Sequence, residues 1–179
     1  MASLAGQRIV LAVTGSIAAY KAADLVRRLR DAQADVRVVM TDGAQHFVTA
    51  TTFQALSGNP VRTTLWDDAA EAAMGHIELA RWATRVLIAP ASANVIAQLA
   101  HGFANDLLGT LCLATEAPVI LAPAMNRVMW AHPATCHNVS VLRQRGVMIL
   151  GPGEGDQACG ETGAGRMLEP SQIIEALCA

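Results

Sequence analysis

The chain has 179 residues, 53% hydrophobic and 16% charged, which suits one domain with a large buried core and excludes a disordered chain. A net charge of -2 without a basic block argues against a nucleic-acid partner, and no apolar run is long enough to predict a membrane span. Cys112, Cys136, Cys159 and Cys178 form no CxxC pair, and Met1 to Gln7 lacks a basic-then-apolar leader, so reduced thiols in a cytoplasm are expected.

In chain order, Arg8 to Thr14 reads as a β-branched strand ending in Gly15-Ser16. Ile17 to Arg30 has helical spacing, with Ile17, Tyr20, Ala23-Asp24-Leu25 and Leu29 on or near one face. Val36 to Met40 is the second strand, and Ala44 to Leu56 is helical with a break near Thr49 to Thr52. Ser57-Gly58-Asn59-Pro60 is a turn, Val61 to Leu65 a short strand, and Trp66 to Gly75 a loop with a helical piece. Ile77 to Trp82 is a short helix, Arg85 to Ala89 a strand, and Pro90 to Asn94 the turn after it. Val95 to Leu99 and Asp106 to Ala114 are helical, Val119 to Leu121 a strand, Pro133 to Arg145 a helix and Val147 to Leu150 the last strand. Gly151 to Gly165 holds six glycines, Pro152 and no apolar period, and Pro170 to Leu177 closes the chain as a helix. Strands alternating with helices predict a Rossmann-like parallel sheet with helices on both faces, in one domain over residues 1–179.

Ligands of such sheets bind past the carboxyl ends of the strands. Thr14-Gly15-Ser16-Ile17 occupies one such end, where helix N–H groups attract an anion, although a plain N-cap with a turn glycine has the same sequence. The turn lacks both GxGxxG and GxxxxGK[ST], so it is neither a dinucleotide fingerprint nor a P-loop. The second strand ends at Met40-Thr41, with Asp42 close by, and the Thr41 hydroxyl suits a phosphate contact. Ser92 and Asn94 add short polar groups on the same sheet edge. One phosphate, several hydroxyls and a flat apolar space describe a mononucleotide such as FMN.

Three further segments stand out. Ala122-Pro123-Ala124-Met125-Asn126-Arg127-Val128-Met129-Trp130 follows a buried strand and sets one amide in an apolar wall. Ala158-Cys159-Gly160-Glu161-Thr162-Gly163-Ala164-Gly165-Arg166-Met167 carries a thiol, and Gly75-His76-Ile77-Glu78-Leu79 an imidazole. PAMNRVMW, ACGETGAGRM, GSIAAYK, GHIELARWA and APASANVIAQLAHGFANDLL occur in the pattern and order of a known family. The chain resembles the flavin-containing cysteine decarboxylases from Arg8 to Pro170, and within them the decarboxylase domain of coenzyme A biosynthesis.

The resemblance implies a flavoprotein-type fold and FMN held by Gly15, Ser16, Ile17, Thr41, Asp42, Gly43, Ser92, Ala93, Asn94, Val95 and Ala124. It implies a small-molecule substrate, phosphopantothenoylcysteine, whose thiol is oxidised to a thioaldehyde, whose carboxylate leaves as CO₂, and whose enethiolate is protonated and reduced to 4'-phosphopantetheine. His76 is then the base, Asn126 the holder of the substrate carboxylate and Cys159 the proton donor, while Met125, Asp156, Gln157 and Ala158 touch substrate under a lid formed by Gly151 to Gly165. A homotrimer or a multiple such as a dodecamer, with flavin at a subunit interface, follows from the same resemblance and fits the sparse charge. A CTP-dependent phosphopantothenate–cysteine ligase, fused or separate, is the implied partner activity.

Each residue also has a plainer reading. Asn126 is an ordinary turn residue after Pro123, Met125 and Met129 serve as core fillers, the latter especially, and His76 suits a cap. Cys136, His132 and His137 lie near one helix face without carboxylate support, so no metal is expected. Other activities on similar folds are decarboxylation of a C-terminal peptide cysteine, which shares the histidine, asparagine and flavin site, and flavin prenyl transfer, which the PxMNxxMW and Cys-Gly signatures disfavour. A non-catalytic FMN-binding subunit would lack His76 or Cys159, and both are present.

Overall fold

A computed structural model describes residues 3–66 and 75–179. Five parallel strands form the main sheet in the order β2-β1-β3-β4-β5: β1 (Arg8–Val13), β2 (Asp35–Met40), β3 (Arg85–Ala91), β4 (Val119–Pro123) and β5 (Met148–Ile149). The order reverses between β1 and β3, and their carboxyl ends open the crevice that such sheets use for ligands.

Alternation along β1 feeds two cores. Ile9, Leu11 and Val13 face α1 (Ala19–Asp31), α3 (Ala50–Ser57) and the last helix, α9 (Pro170–Cys178). Val10 and Ala12 face α4 (Gly75–Trp82), α5 (Ala93–His101), α6 (Leu107–Ala114) and α8 (Pro133–Gln144). The helices therefore cover both sheet faces, as the alternation predicts. Aliphatic residues fill both cores, and Phe53 is the buried aromatic among the described residues.

Several local readings need correction. Val61 to Leu65 is not a strand: Arg62 alone bridges to Val39, and the chain then leaves the sheet edge to line a cavity. Pro90 and Ala91 belong to β3, not to the following turn; the register shifts between Ile88 and Ala91, where proline has no N–H to offer the ladder. The helical break falls at residues 46–49, between α2 (Asp42–Gln45) and α3, slightly before the predicted position. Leu25 and Leu29 of the predicted face are buried, but Ile17 and Tyr20 are exposed, and Ala19, Ala22 and Val26 complete the buried face of α1. The glycine-rich segment is an antiparallel ribbon, β6 (Gly153–Asp156) paired with β7 (Thr162–Arg166). Its polar residues carry no apolar alternation because most of the ribbon lies off the core. The helical piece expected between Trp66 and Gly75 falls largely outside the described residues.

Candidate functional site

Thr14 organises the crevice. It is fully buried, its Oγ1 donates to the Pro90 carbonyl (2.7 Å), and the same oxygen accepts from the Ser92 N–H (3.0 Å). One hydroxyl thus ties the exit of β1 to the exit of β3. Gly15 then packs on Gly43: a Cβ on Gly15 would meet the Gly43 Cα at 3.1 Å, so any side chain here would push the two loops apart. The Ser92 hydroxyl accepts from the Val95 N–H (3.3 Å) and caps α5, while the Thr41 hydroxyl accepts from the Ala44 N–H (3.3 Å) and caps α2. Ser16 accepts from the Ala18 N–H (3.3 Å) just before α1 begins at Ala19. Ser92 and Thr41 are therefore helix caps, whereas the plain N-cap reading of Ser16 does not hold, because α1 is capped at Ala18 without a side-chain bond. All three residues line the space above the sheet.

That space has two compartments. The first, about 610 Å³, brings together Gly15, Ser16, Ile17, Ala124, Met125, Asn126, Asp156, Gln157, Ala158 and Cys159. The second, about 580 Å³, is lined by Gly15, Thr41, Asp42, Gly43 and Ser92 to Val95, together with Thr63 to Trp66, Gln98 and Asn105. Gly15, Ser92, Ala93 and Met129 border both, so the compartments adjoin. Met129 is 48% exposed and is wall, not core filler.

The amide and the thiol meet at the tip of the ribbon. Asn126 caps α7 (Arg127–Ala131): its Oδ1 accepts from the Val128 N–H at 2.7 Å. That bond turns Nδ2 toward the ribbon, where it donates to Glu161 Oε2 (2.6 Å) and lies 3.4 Å from Cys159 Sγ. Gln157 Oε1 accepts from the Arg127 N–H (3.0 Å), Arg127 Nη2 lies 3.4 Å from Glu161 Oε1, and the Met125 N–H donates to the Gly165 carbonyl (2.9 Å). Residues 157–165 are thereby pinned to the carboxyl end of β4. Thr14 and Glu161 were not singled out from the sequence. Thr14 gives no sign there of being a strap, and Glu161 stands inside the quoted cysteine segment without a partner that sequence can name.

His76 is not brought to this site. It is half-buried in the first turn of α4 and borders neither compartment of the chain. His132 caps α8 through Nδ1, which accepts from the Ala134 N–H (3.1 Å), and Cys136 Sγ lies 3.6 Å from the Trp130 carbonyl. Cys159 and Cys136 are exposed. Burial, and secondarily the charge of Asp106, push the Cys112 thiol up to about 12, which makes it a poor nucleophile. Among the described residues, no helix is long and apolar enough to cross a membrane.

Comparison with known proteins places this geometry. The flavoprotein family profile matches residues 2–179. The coenzyme A biosynthesis bifunctional protein CoaBC of Escherichia coli (strain K12) is 58% identical over 177 residues, covering 99% of this chain but 44% of that protein. The chain thus spans under half the length of that relative. A PPC decarboxylase mutant complexed with pantothenoylaminoethenethiol superimposes with a TM-score of 0.84 at 34% identity, covering 96% of each chain. The FMN-binding protein AtHal3 matches with a TM-score of 0.81 at 34% identity over 96% of this chain and 94% of that one.

Proposed function

The chain belongs to the flavoprotein family, and on that premise we propose that residues 1–179 form one FMN-dependent decarboxylase domain. It converts 4'-phospho-N-pantothenoylcysteine to 4'-phosphopantetheine in coenzyme A biosynthesis. The observation that carries this reading is the Asn126 amide 3.4 Å from the Cys159 thiol, beside the crevice at the β1/β3 switch point. Similarity to a PPC decarboxylase and to a coenzyme A biosynthesis protein supports the substrate.

The residues present fit a flavin mononucleotide. Thr41, Ser92, Asn94 and the opening turn of α5 offer hydroxyl, amide and N–H donors to a phosphate and a polyol chain. Ala124, Ile17, Met125 and Met129 offer the adjoining apolar walls that a flat ring needs. When bound, FMN supplies two-electron storage, so the oxidation of the substrate's C–S bond and the later reduction cancel and the net reaction is loss of CO₂.

The side chains then divide the remaining work. Asn126 Nδ2 holds the substrate carboxylate through a neutral donor, which orients the group without the tight ion pair that would hinder its departure. Cys159 delivers a proton to the carbon of the enethiolate, and Gln157 and Asp156 flank the substrate on the ribbon side. His76 takes the substrate's proton, and a second copy of the chain supplies it, since within one chain it borders neither compartment.

Purified holoprotein incubated with phosphopantothenoylcysteine should release CO₂ and form 4'-phosphopantetheine, and acid should release FMN. A released FAD, or turnover of a peptide ending in cysteine in preference to the pantothenoyl substrate, would overturn the assignment.

A further inference from the structure

Asn126 already holds a carboxylate, and it belongs to the protein. The Asn126 side chain has an acceptor end and a donor end. The acceptor end is committed to the Val128 N–H (2.7 Å), which fixes the orientation of the amide. The donor end faces Glu161 Oε2 at 2.6 Å and Cys159 Sγ at 3.4 Å. An amide nitrogen can donate twice, and here a carboxylate oxygen and a thiol sulfur both lie within reach of it. A substrate carboxylate that binds Nδ2 must therefore take the place of Glu161, because two carboxylates on one donor repel each other.

A second partner stands ready for the displaced group. Arg127 Nη2 is 3.4 Å from the other Glu161 oxygen, and both side chains are partly exposed. A small rotation keeps Glu161 paired while it releases Asn126. We propose that Glu161 is a built-in competitor for the substrate carboxylate. It occupies Asn126 in the ligand-free site, yields to the substrate by moving onto Arg127, and reclaims Asn126 once the carboxylate has left as CO₂. The proposal rests on the reading of Asn126 as the carboxylate holder. Its consequence is specificity between substrate and product. The substrate has to displace Glu161 and the product does not, so the competition sets the affinity for the carboxylate-bearing ligand and leaves that of the decarboxylated one unchanged.

A matched ligand pair tests this by calorimetry on the FMN-loaded protein. The S-methyl ether of phosphopantothenoylcysteine keeps the carboxylate and has no thiol to oxidise, and S-methyl-4'-phosphopantetheine lacks the carboxylate. Glu161→Gln removes the charge but keeps the reach, and Glu161→Ala removes both. In each variant Kd for the carboxylate ligand should fall by roughly tenfold, the scale of losing one charge-assisted competitor, while Kd for its partner changes by less than about twofold. Unchanged or weaker binding of the carboxylate ligand in both variants overturns the proposal. A parallel loss for both ligands also overturns it, because Glu161 would then be a pin for the ribbon. Asn126→Ala separates the two readings: it should weaken the carboxylate ligand alone, and if it leaves both ligands unchanged, the Asn126 assignment fails and the competition falls with it.

Discussion

Cys159 is the residue whose chemistry is most exposed to test. Its thiol is solvent-exposed at a ribbon tip, 3.4 Å from the Asn126 amide, whereas Cys112 is half-buried in a helix and its thiol is held protonated. A serine hydroxyl is close in size but a far weaker acid than a thiol, whose reference pKa is about 8.5. Cys159→Ser should release CO₂ once per flavin, leave the flavin reduced and accumulate an oxidised aminoenethiol instead of 4'-phosphopantetheine. Mass spectrometry distinguishes the products, and saturated thiol formed at the wild-type rate would remove Cys159 from the mechanism. Cys136→Ser should change neither rate nor product, since its sulfur lies 3.6 Å from the Trp130 carbonyl and the residue lines neither compartment. The proposed roles of Cys159 and Asn126 start from motifs legible in the sequence. The pairing of Asn126 with Glu161 is not legible there, because 35 positions separate the two and only the fold closes that distance.

At the scale of elements, the ribbon β6–β7 is held to β4 by few contacts, and Gly165 is the tightest. Its φ is +147, and a Cβ there would collide with the Met125 carbonyl oxygen and approach Gln157 Nε2 to 2.6 Å. Gly165→Ala should break the Met125–Gly165 hydrogen bond and swing Gln157 and Cys159 away from Asn126. We expect kcat/KM to fall by at least about tenfold, with flavin still bound. The ribbon adds little to either core, so a loss of about 1 kcal/mol should lower Tm by only roughly 2–4 °C. Wild-type kcat/KM in this variant, or a loss of flavin, would show that the ribbon does not carry the substrate half of the site. The opposite case is α3. It seats the buried Phe53 against the main core, and Phe53→Ala should cost about 3–5 kcal/mol in urea unfolding without altering substrate preference.

At the scale of the whole molecule, the surface is unusually apolar around the site. Ile17, Tyr20, Trp66, Val128 and Met129 are all exposed, at 57%, 62%, 82%, 55% and 48%, and Ile17, Tyr20, Trp66 and Met129 border the compartments. Association of copies over this face would bury it, and the proposed supply of His76 by a second copy requires that the interface bring it to the Cys159 of its neighbour. Light scattering should give a multiple of the 18.8 kDa chain mass, with a trimer as the unit, and a monomer at micromolar concentration would contradict this. A sharper test uses two inactive variants. His76→Asn and Cys159→Ser should each fail alone, yet refolding them together should restore activity at interfaces that combine the intact histidine of one copy with the intact cysteine of the other. No recovery in demonstrably mixed oligomers would place both residues in one chain's site.

The sequence by itself determined the class of fold and the chemical vocabulary of the site. Strand and helix periods are local properties, so β1 to β4 and the helices between them could be read directly, and short polar residues after each strand pointed to the ligand edge. What the tertiary structure decided lay where local pattern and environment part. The ribbon has no apolar alternation because most of it lies off the core, so its strands gave no signal of their own. Ile17, Tyr20 and Met129 looked like core residues by type, yet they are exposed at the site because the crevice above the sheet needs apolar walls of its own. Thr14 and Glu161 could be recognised only once the strand ends and the ribbon tip lay side by side, since hydrogen-bond partners across the fold carry no signature in sequence.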